Sequence, residues 1–236
     1  MNEIKFISLS ETALLLSFGN TINEQQHQKL MHIKQLIEQN PFKGFVETVP
    51  AYNSLAIYYN PLEIEKFDLS KSIQDTVYGT LQKQIKDLSI EKIKTKSSCI
   101  EIPVCYDTDF GIDLVELSKT LNLSIEEIIL LHSRIIYKVY MLGFTPGFGY
   151  MGTVDEKIIT QRKKQPRLKV EAGSVAIAGN QTGIYPLATP GGWNIIGRTT
   201  LQLFDKSKEH PFLLKAGNEV KFISITKEEY NHWTIK

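Results

Sequence analysis

The first ninety residues switch between two apolar periodicities. The segments EIKFISL and ALLLSFG are typical of β-strands, and GFVETVPAY and SLAIYYN alternate apolar and polar positions like the two strands of a hairpin. Between these pairs Leu30, Ile33 and Ile37 recur at helical spacing, and a second helical stripe with Val77 and Leu81 follows the last strand. Strands followed by a helix, twice, predict a small α+β unit, which we interpret as a split βαβ sandwich of ferredoxin-like kind.

The second half opens with the strand CIEIPVCYD and then changes character. Two capping-box patterns, an acidic or hydroxyl residue with glutamate three residues on, begin at Asp113 and Ser124 and predict two short helices. Ten of the fifteen glycines lie between Gly143 and Gly197, among short strands and tight turns. We therefore predict a closed or nearly closed β-structure, which the alternating strand EVKFISIT completes.

Length and composition bound the function classes. The polar stretch 89–98 is the predicted linker between a domain of residues 1–92 and a domain of residues 93–236. A hydrophobic content of 42% and a net charge of +1 are typical of a soluble globular protein and argue against nucleic-acid binding. No signal peptide or membrane span is predicted. With Cys99 and Cys105 as the only cysteines, we expect a cytoplasmic protein without a metal site.

The stretch GFGYMG matches the GxGxxG pattern of dinucleotide-binding proteins. That fingerprint also needs an amphipathic helix directly after the glycines, so that the pyrophosphate meets the N-terminus of the helix. Here the charged stretch TVDEKIITQRKKQPR follows, with proline close behind. The match is therefore interpreted as accidental.

Arginine is rare and confined to one region. Only four of the 27 basic residues are arginine, namely Arg134, Arg162, Arg167 and Arg198. A planar guanidinium suits a carboxylate or phosphate ligand, although structural ion pairs explain arginine equally well. From residue 143 to residue 198, seven basic residues stand against three acidic ones, an excess that would attract an anion.

Polar and aromatic side chains accompany the glycine-rich turns. Gln181, Tyr185 and Asn194 supply groups that suit a small lactam or amide, or that satisfy turn backbone. His132, at a predicted helix end, is a candidate base or a packing residue. Aromatic rings are expected to form a pocket wall or the core of a partner interface, and they are Phe144, Phe148, Tyr150 and Trp193.

The ordered motifs of this half carry a family resemblance. LHSRIIYKVYMLGFTPGFGYMG, then PRLKVEAGSVAIAGNQTGIYPLATPGGWNIIGRT, resemble the family formed by the B subunit of 5-oxoprolinase. This family is also labelled allophanate hydrolase subunit 1, or carboxyltransferase subdomain C and D, and includes a sporulation kinase inhibitor of spore-formers. The resemblance implies an N-terminal α+β domain and a cyclophilin-like β-barrel, with the glycine-rich stretch as the inner wall and rim of a barrel pocket.

The resemblance also implies an activity and partners. It implies one subunit of an ATP-dependent hydrolase, inactive alone, that opens 5-oxo-L-proline to L-glutamate with a second carboxyltransferase-half subunit and a third subunit. ATP and Mg²⁺ would serve the complex, and no cofactor would be covalently bound. Arg162, Arg167 and Arg198 would be catalytic, and Gln181, Tyr185, Asn194 and His132 would bind substrate. Two alternatives stay open: a regulator that inhibits a histidine kinase, and half of a biotin-dependent carboxyltransferase or urea amidolyase system.

Overall fold

The chain divides into two compact units between Lys96 and Ser97. The computed structural model describes residues 4–19, 23–65, 70, 72–86 and 99–234. The predicted linker, 89–98, and the boundary predicted after residue 92 both lie outside the described residues, so they stay predictions. Among the described residues, no helix combines the length and the apolar character that crossing a bilayer requires.

The N-terminal unit is a four-stranded antiparallel sheet with two helices. Its strands stand in the order β1-β2-β4-β3. The predicted helices and strands are all present, with the bounds β1 Lys5–Ser10, β2 Ala13–Ser17, α1 Glu24–Gln39, β3 Phe45–Pro50, β4 Ser54–Tyr59 and α2 Ile73–Lys86. The helical stripes predicted from the sequence are buried against one face of the sheet, in a core that includes Leu30, Ile33, Ile37, Val77, Leu81, Leu16, Leu55 and Ile57.

The predicted ferredoxin-like arrangement of this unit is not confirmed. A split βαβ sandwich has the element order β-α-β-β-α-β, with a helix directly after its first strand, whereas this unit begins with two strands and has the order β1-β2-α1-β3-β4-α2. The reason is local, since only two residues separate β1 from β2 and three separate β3 from β4, and such short connections permit only hairpins. Two hairpins therefore lie side by side, and β2 of the first pairs with β4 of the second.

The C-terminal unit is a closed seven-stranded barrel with a separate strand pair. The barrel order is β10-β7-β6-β13-β5-β12-β9, and β8 pairs with β11 outside it. The bounds are β5 Cys99–Cys105, α3 Leu114–Leu121, α4 Ile125–Ser133, β6 Ile136–Leu142, β7 Gly149–Gly152, β8 Arg167–Val170, β9 Ser174–Ala178, β10 Gln181–Ile184, β11 Thr189–Gly191, β12 Asn194–Arg198, β13 Glu219–Ile225 and α5 Lys227–Thr234. The predicted closed β-structure is confirmed, and β13 closes it between β5 and β6.

Of the two predicted capping boxes, one forms. Ser124 accepts a hydrogen bond from the Glu127 amide, and the Glu127 carboxylate accepts one from the Ser124 amide, so α4 begins as predicted. Asp113 precedes α3 but makes no side-chain cap. Its carboxylate faces the barrel instead, where it accepts a hydrogen bond from the Ile195 amide 2.7 Å away. The prediction of a capping box at Asp113 is therefore wrong.

The barrel interior is filled by apolar side chains. Val175 and Ile177 of β9 and Ile196 of β12 point inward and pack with residues of every other barrel strand. The alternate β9 residues, Ala176 and Ala178, belong to a separate cluster on the outer face of the barrel. Side chains of a strand alternate between faces, so β9 separates the two clusters. The interior is a packed core.

The tight join between β12 and β5 yields a stability prediction. A Cβ placed on Gly197 would lie 2.8 Å from the Cys105 carbonyl oxygen and 2.7 Å from Val104 Cγ1. Because a backbone oxygen cannot move away cheaply, we expect Gly197→Ala to lower the free energy of unfolding by about 1–3 kcal/mol. Denaturation followed by tryptophan fluorescence reports this, since Trp193 and Trp233 both belong to the C-terminal unit.

The matched control is Gly143→Ala in the same unit. The nearest atom to a Cβ there is Met141 Cε at 3.4 Å, the end of a flexible side chain. We expect a change within about 0.5 kcal/mol. Equal stabilities for the two variants would contradict the packing argument.

Candidate functional site

A cavity of about 270 Å³ lies on the outer face of the barrel, beside the β8–β11 pair. Because the interior is filled, the predicted location on the inner wall of the barrel is corrected to its outer wall. The cavity is lined by Phe144, Phe148, Tyr150, Arg162, Lys163, Pro166, Tyr185, Pro190, Gly191, Gly192 and Trp193. We call it the aromatic pocket.

Glycines make room for the rings of the aromatic pocket. A Cβ on Gly183 of β10 would lie 2.9 Å from Phe148 Cζ, and a Cβ on Gly191 of β11 would lie 2.8 Å from Tyr185 Cζ. Real Cβ atoms do not approach ring atoms so closely, so both positions need glycine or a displaced ring. The glycine-rich stretch therefore serves close packing of aromatic rings against the barrel.

Phe148 is the centre of the aromatic cluster. Its ring centroid lies 4.8 Å from that of Tyr150, 5.3 Å from Tyr185 and 5.4 Å from Trp193, each in edge-to-face geometry. Phe144 adds a fourth edge-to-face contact at 5.8 Å, with 63% of its surface exposed at the mouth. The structure thus brings together all four aromatic residues singled out in the sequence, in a preferred ring geometry.

Arg162 is the cation of the pocket that has no carboxylate partner among the described residues. Its guanidinium carbon lies 5.8 Å from the centroid of the Trp193 ring, within reach of a cation–π contact. The positive charge is therefore available to an anionic ligand in the pocket. A planar guanidinium binds a carboxylate through two parallel hydrogen bonds.

Lys163 also lines the pocket, but its charge is already paired. Its ammonium lies 2.8 Å from Asp113 Oδ1 and 2.8 Å from Glu116 Oε2. Burial alone would lower the pKa of Lys163, but hydrogen bonds to Asp113 and Glu116 outweigh burial and raise the pKa. Lys163 therefore stays protonated near neutral pH and cannot act as a base.

Asp113 joins the pocket-lining loop to the barrel. One carboxylate oxygen pairs with the Lys163 ammonium and accepts a hydrogen bond from Arg167 Nη2 at 2.6 Å. The other accepts a hydrogen bond from the Ile195 amide. The carboxylate is almost fully buried, with 1% of the residue exposed. Arg167, predicted to be catalytic, thus positions the loop, and its Nη1 is buried without a hydrogen-bond partner among the described residues.

Two further hydrogen bonds hold the same loop to β12 and to the turn just before it. Asn194 Nδ2 donates to the Gln161 carbonyl at 2.8 Å, and the Lys163 amide donates to the Gly192 carbonyl at 2.7 Å. Asn194, predicted to bind substrate, does not line the pocket. Instead its side-chain amide is bonded to Gln161, the residue before Arg162.

The two tyrosines of the pocket keep their protons at neutral pH. Burial raises the pKa of Tyr150, and the charge of Arg162 offsets part of that rise. Burial likewise raises the pKa of Tyr185, and a hydrogen bond from the Trp193 backbone and the charge of Arg162 offset part of that rise. Both phenols are therefore hydrogen-bond donors, and Tyr185, predicted to bind substrate, lines the pocket.

Three predicted site residues lie away from the aromatic pocket. Arg198, at the far end of β12, places its guanidinium 5.6 Å from the Phe110 ring centroid. Gln181 begins β10 and pairs with Gly152 in the sheet. His132 is fully buried, with one ring nitrogen 2.8 Å from the Tyr106 hydroxyl and the other 2.8 Å from Thr182 Oγ1. With both ring nitrogens engaged, His132 has the contacts of a structural residue.

The sequence interpretation missed two residues that shape the pocket, Asp113 and Lys163. Asp113 carried the signal of a helix cap, and Lys163 was one of many lysines. No group of three or more His, Cys, Asp or Glu side chains that could hold a metal ion occurs in the part of the chain that the structure describes.

Comparison with known proteins places the chain in a family. Residues 4–214 match the family model described as carboxyltransferase domain, subdomain C and D. The chain is 41% identical to the B subunit of 5-oxoprolinase from Bacillus subtilis (strain 168), over 94% of this chain and 93% of that protein. It is 35% identical to the B subunit of 5-oxoprolinase from Escherichia coli O157:H7, over 94% and 97%. The chain therefore belongs to the carboxyltransferase subdomain C and D family.

A solved structure shares the architecture. The chain superimposes on the crystal structure of TTHA0988 with a TM-score of 0.78 and 36% identity, over 90% of this chain. The match covers 40% of TTHA0988, so this chain spans about two fifths of that protein.

The buried carboxylate generates a stability prediction. Asp113→Asn removes the charge that Lys163 and Arg167 share, and an amide group would face donors on both sides. We expect a loss of roughly 3 kcal/mol in the free energy of unfolding, the cost of breaking a buried ion pair. Glu116→Gln is the control, because Glu116 contacts the same ammonium but its side chain is 71% exposed. For this exposed pair we expect a loss of less than about 1 kcal/mol in the free energy of unfolding, measured by urea denaturation. Equal losses for the two variants would contradict a buried ion pair at Asp113.

His132 generates a prediction about pH. Burial lowers the pKa of His132 to about 3, from its ordinary 6.5. As pH falls, the unfolded chain takes up a proton on this residue while the folded chain does not. His132 therefore stabilises the fold fully above pH 6.5, and this contribution is lost as pH falls toward 3. Between pH 7.5 and pH 5 the loss amounts to about 2 kcal/mol.

His132→Gln is expected to remove that part of the pH dependence. Urea denaturation of both proteins at pH 7.5 and pH 5 measures it, since other titrating groups contribute equally to each. An identical decline in stability for the two proteins would rule out a neutral, buried His132.

Proposed function

We propose that this chain is a subunit of an ATP-dependent 5-oxoprolinase, which opens 5-oxo-L-proline to L-glutamate together with partner subunits. The relatives named as the B subunit of 5-oxoprolinase support the subunit role. One structural observation carries the assignment of the site. The charge of Arg162, unpaired within the described residues, stands over Trp193 in a pocket walled by aromatic rings.

The proposed substrate matches the chemistry of the aromatic pocket. It is a flat five-membered ring with one carboxylate and one lactam group. The ring would pack against Phe148 and Trp193, and the carboxylate would pair with Arg162. The Tyr150 hydroxyl would donate a hydrogen bond to the lactam oxygen. At about 270 Å³ the cavity is smaller than pockets for drug-sized molecules, so it suits a small metabolite.

ATP and Mg²⁺ are assigned to the complex. As co-substrate, ATP would phosphorylate the lactam oxygen and make the lactam carbon more electrophilic. The described residues of this chain offer no carboxylate cluster that could hold Mg²⁺, so none of them is assigned as a metal ligand. Its own side chains bind the substrate, orient the lactam and exclude water from the aromatic walls.

The pocket by itself binds but does not hydrolyse. Its lining residues include no carboxylate and no imidazole, and Lys163 is held protonated. Activation of water needs a general base within hydrogen-bond reach. The isolated chain is therefore expected to release no glutamate from 5-oxoproline.

Substitution of Arg162 tests the proposed site. In the reconstituted complex we expect Arg162→Gln to raise the KM for 5-oxoproline about tenfold or more and to change kcat little. The lost charge-assisted hydrogen bonds, worth about 1.5–3 kcal/mol, act on the bound substrate from the start. Steady-state glutamate release at varied 5-oxoproline measures both constants.

Lys164→Gln is the matched control for Arg162→Gln. It removes the same charge two residues along the same loop, from an exposed side chain that does not line the pocket. We expect its KM to stay within about twofold of the wild type, as for a screened surface charge. The same KM for both variants would refute a substrate contact at Arg162, and a wild-type complex that releases no glutamate would refute the proposed activity.

A further inference from the structure

Residues 160–166 form the loop that carries Arg162, just before β8. Arg162 itself is an exposed residue. An exposed arginine side chain has many rotamers, and keeping it in one of them costs conformational entropy. Its guanidinium nevertheless stands over the Trp193 ring, with 5.8 Å between the guanidinium carbon and the ring centroid. A fixed guanidinium needs a fixed backbone, so the contacts of the loop decide where the charge stands.

Backbone hydrogen bonds hold the loop on both sides of the arginine. On one side, Thr160 exchanges two backbone hydrogen bonds with Gly179, of 3.3 Å and 2.6 Å. On the other side, the Lys163 amide donates to the Gly192 carbonyl at 2.7 Å. The residues between these two contacts are Gln161 and the arginine itself, so the path of the chain through Gln161 sets the direction of the arginine.

The Asn194 side chain holds the peptide between these two contacts. Its Nδ2 donates to the Gln161 carbonyl at 2.8 Å and to the Ile177 carbonyl at 3.4 Å, and the residue is buried. The Gln161 carbonyl belongs to the peptide bond whose nitrogen is that of Arg162. Because a peptide bond is planar, a hydrogen bond to its oxygen also fixes the direction in which the chain enters the next residue. Asn194 thus ties the backbone at Arg162 to the barrel strands β12 and β9.

We propose that Asn194 is a positioning residue for Arg162, which presets the guanidinium over Trp193 before a ligand arrives. The placement rests on contacts within this chain, whereas its value for 5-oxoproline rests on the proposed function. A carboxylate then meets a charge that does not have to be ordered at the moment of binding, and the affinity is higher by the cost that is avoided. Without the Asn194 amide, the Gln161 carbonyl loses this partner and the chain at Arg162 can turn away from the ring.

Nuclear magnetic resonance of the arginine side chains tests this placement without substrate. The chain has four arginines, so its ¹⁵N spectrum contains four Nε–Hε signals, and Arg162→Gln identifies that of Arg162. The ring current of Trp193 displaces this signal from its position in the urea-unfolded chain. We expect Asn194→Ala to move the signal back toward the unfolded position. Thr182→Val is the matched control, because it removes another buried side-chain donor to a barrel carbonyl, that of Ala176 at 3.1 Å, and is expected to leave the signal in place.

A double-mutant cycle tests the consequence for the substrate. In the reconstituted complex we expect Asn194→Ala to raise the KM for 5-oxoproline about threefold or more, with little change in kcat. In the Arg162→Gln background the same substitution is expected to change the KM by less than about 1.5-fold, because the group that Asn194 positions is gone. A merely structural role of Asn194 would change the KM by the same ratio in both backgrounds.

The outcomes separate positioning from activity. An Arg162 signal that stays in place in Asn194→Ala, or that moves as far in Thr182→Val, would overturn the proposal, and so would equal KM ratios in the two backgrounds. If the backbone ¹⁵N spectrum shows that Asn194→Ala is unfolded, Asn194→Ser replaces it in both measurements. If the wild-type complex releases no glutamate while the signal moves as expected, the positioning stands and the proposed activity falls. If the complex releases glutamate and the signal stays in place, the reverse holds.

Discussion

The carboxylate of Asp113 is the interaction on which the architecture of the pocket depends. It is buried at the start of α3, where it accepts a hydrogen bond from a backbone amide of β12 and forms ion pairs with Lys163 and Arg167. A buried charge without partners costs several kcal/mol, so these cations have to remain beside it. The loop between them is thereby fixed against the barrel, and Arg162, the residue next to Lys163, is held over the rings.

The pocket lies outside the barrel because the inside has no room. Large β-branched side chains fill the interior, while the outer face of β9 carries small residues, among them Ala176 and Ala178. Small residues there, with Gly183 on the neighbouring strand, leave space for Phe148 and for the rings that pack edge-on against it. The β8–β11 pair then forms a wall over this face. The barrel acts as a rigid support, and the site is assembled on its surface.

The sequence predicted the elements well and their spatial relations poorly. Hairpins and helices follow from local periodicity, but the side-by-side placement of two hairpins does not. The stretch SVAIA is apolar on both faces, so its pattern could not tell which face is the interior. Asp113 and Ser124 carry the same local capping signal. They differ only because Ile195, 82 residues away along the chain, offers its amide to Asp113. Long-range contacts of this kind leave no mark on local spacing.

The four arginines show how geometry decides what residue type leaves open. Arg134 pairs with Asp155, Arg167 pairs with Asp113, and Arg198 lies over Phe110. Arg162 faces a cavity with an aromatic ring beneath it and no carboxylate beside it within the described residues. Composition alone assigns the four equal weight. Pairing sets Arg134 and Arg167 apart, because a guanidinium whose charge is already neutralised has little left for a ligand. Position sets Arg198 apart, because it does not line the aromatic pocket. The same reasoning makes Lys163 structural although it lines the pocket, and it leaves Arg162 as the lining cation without a carboxylate partner among the described residues.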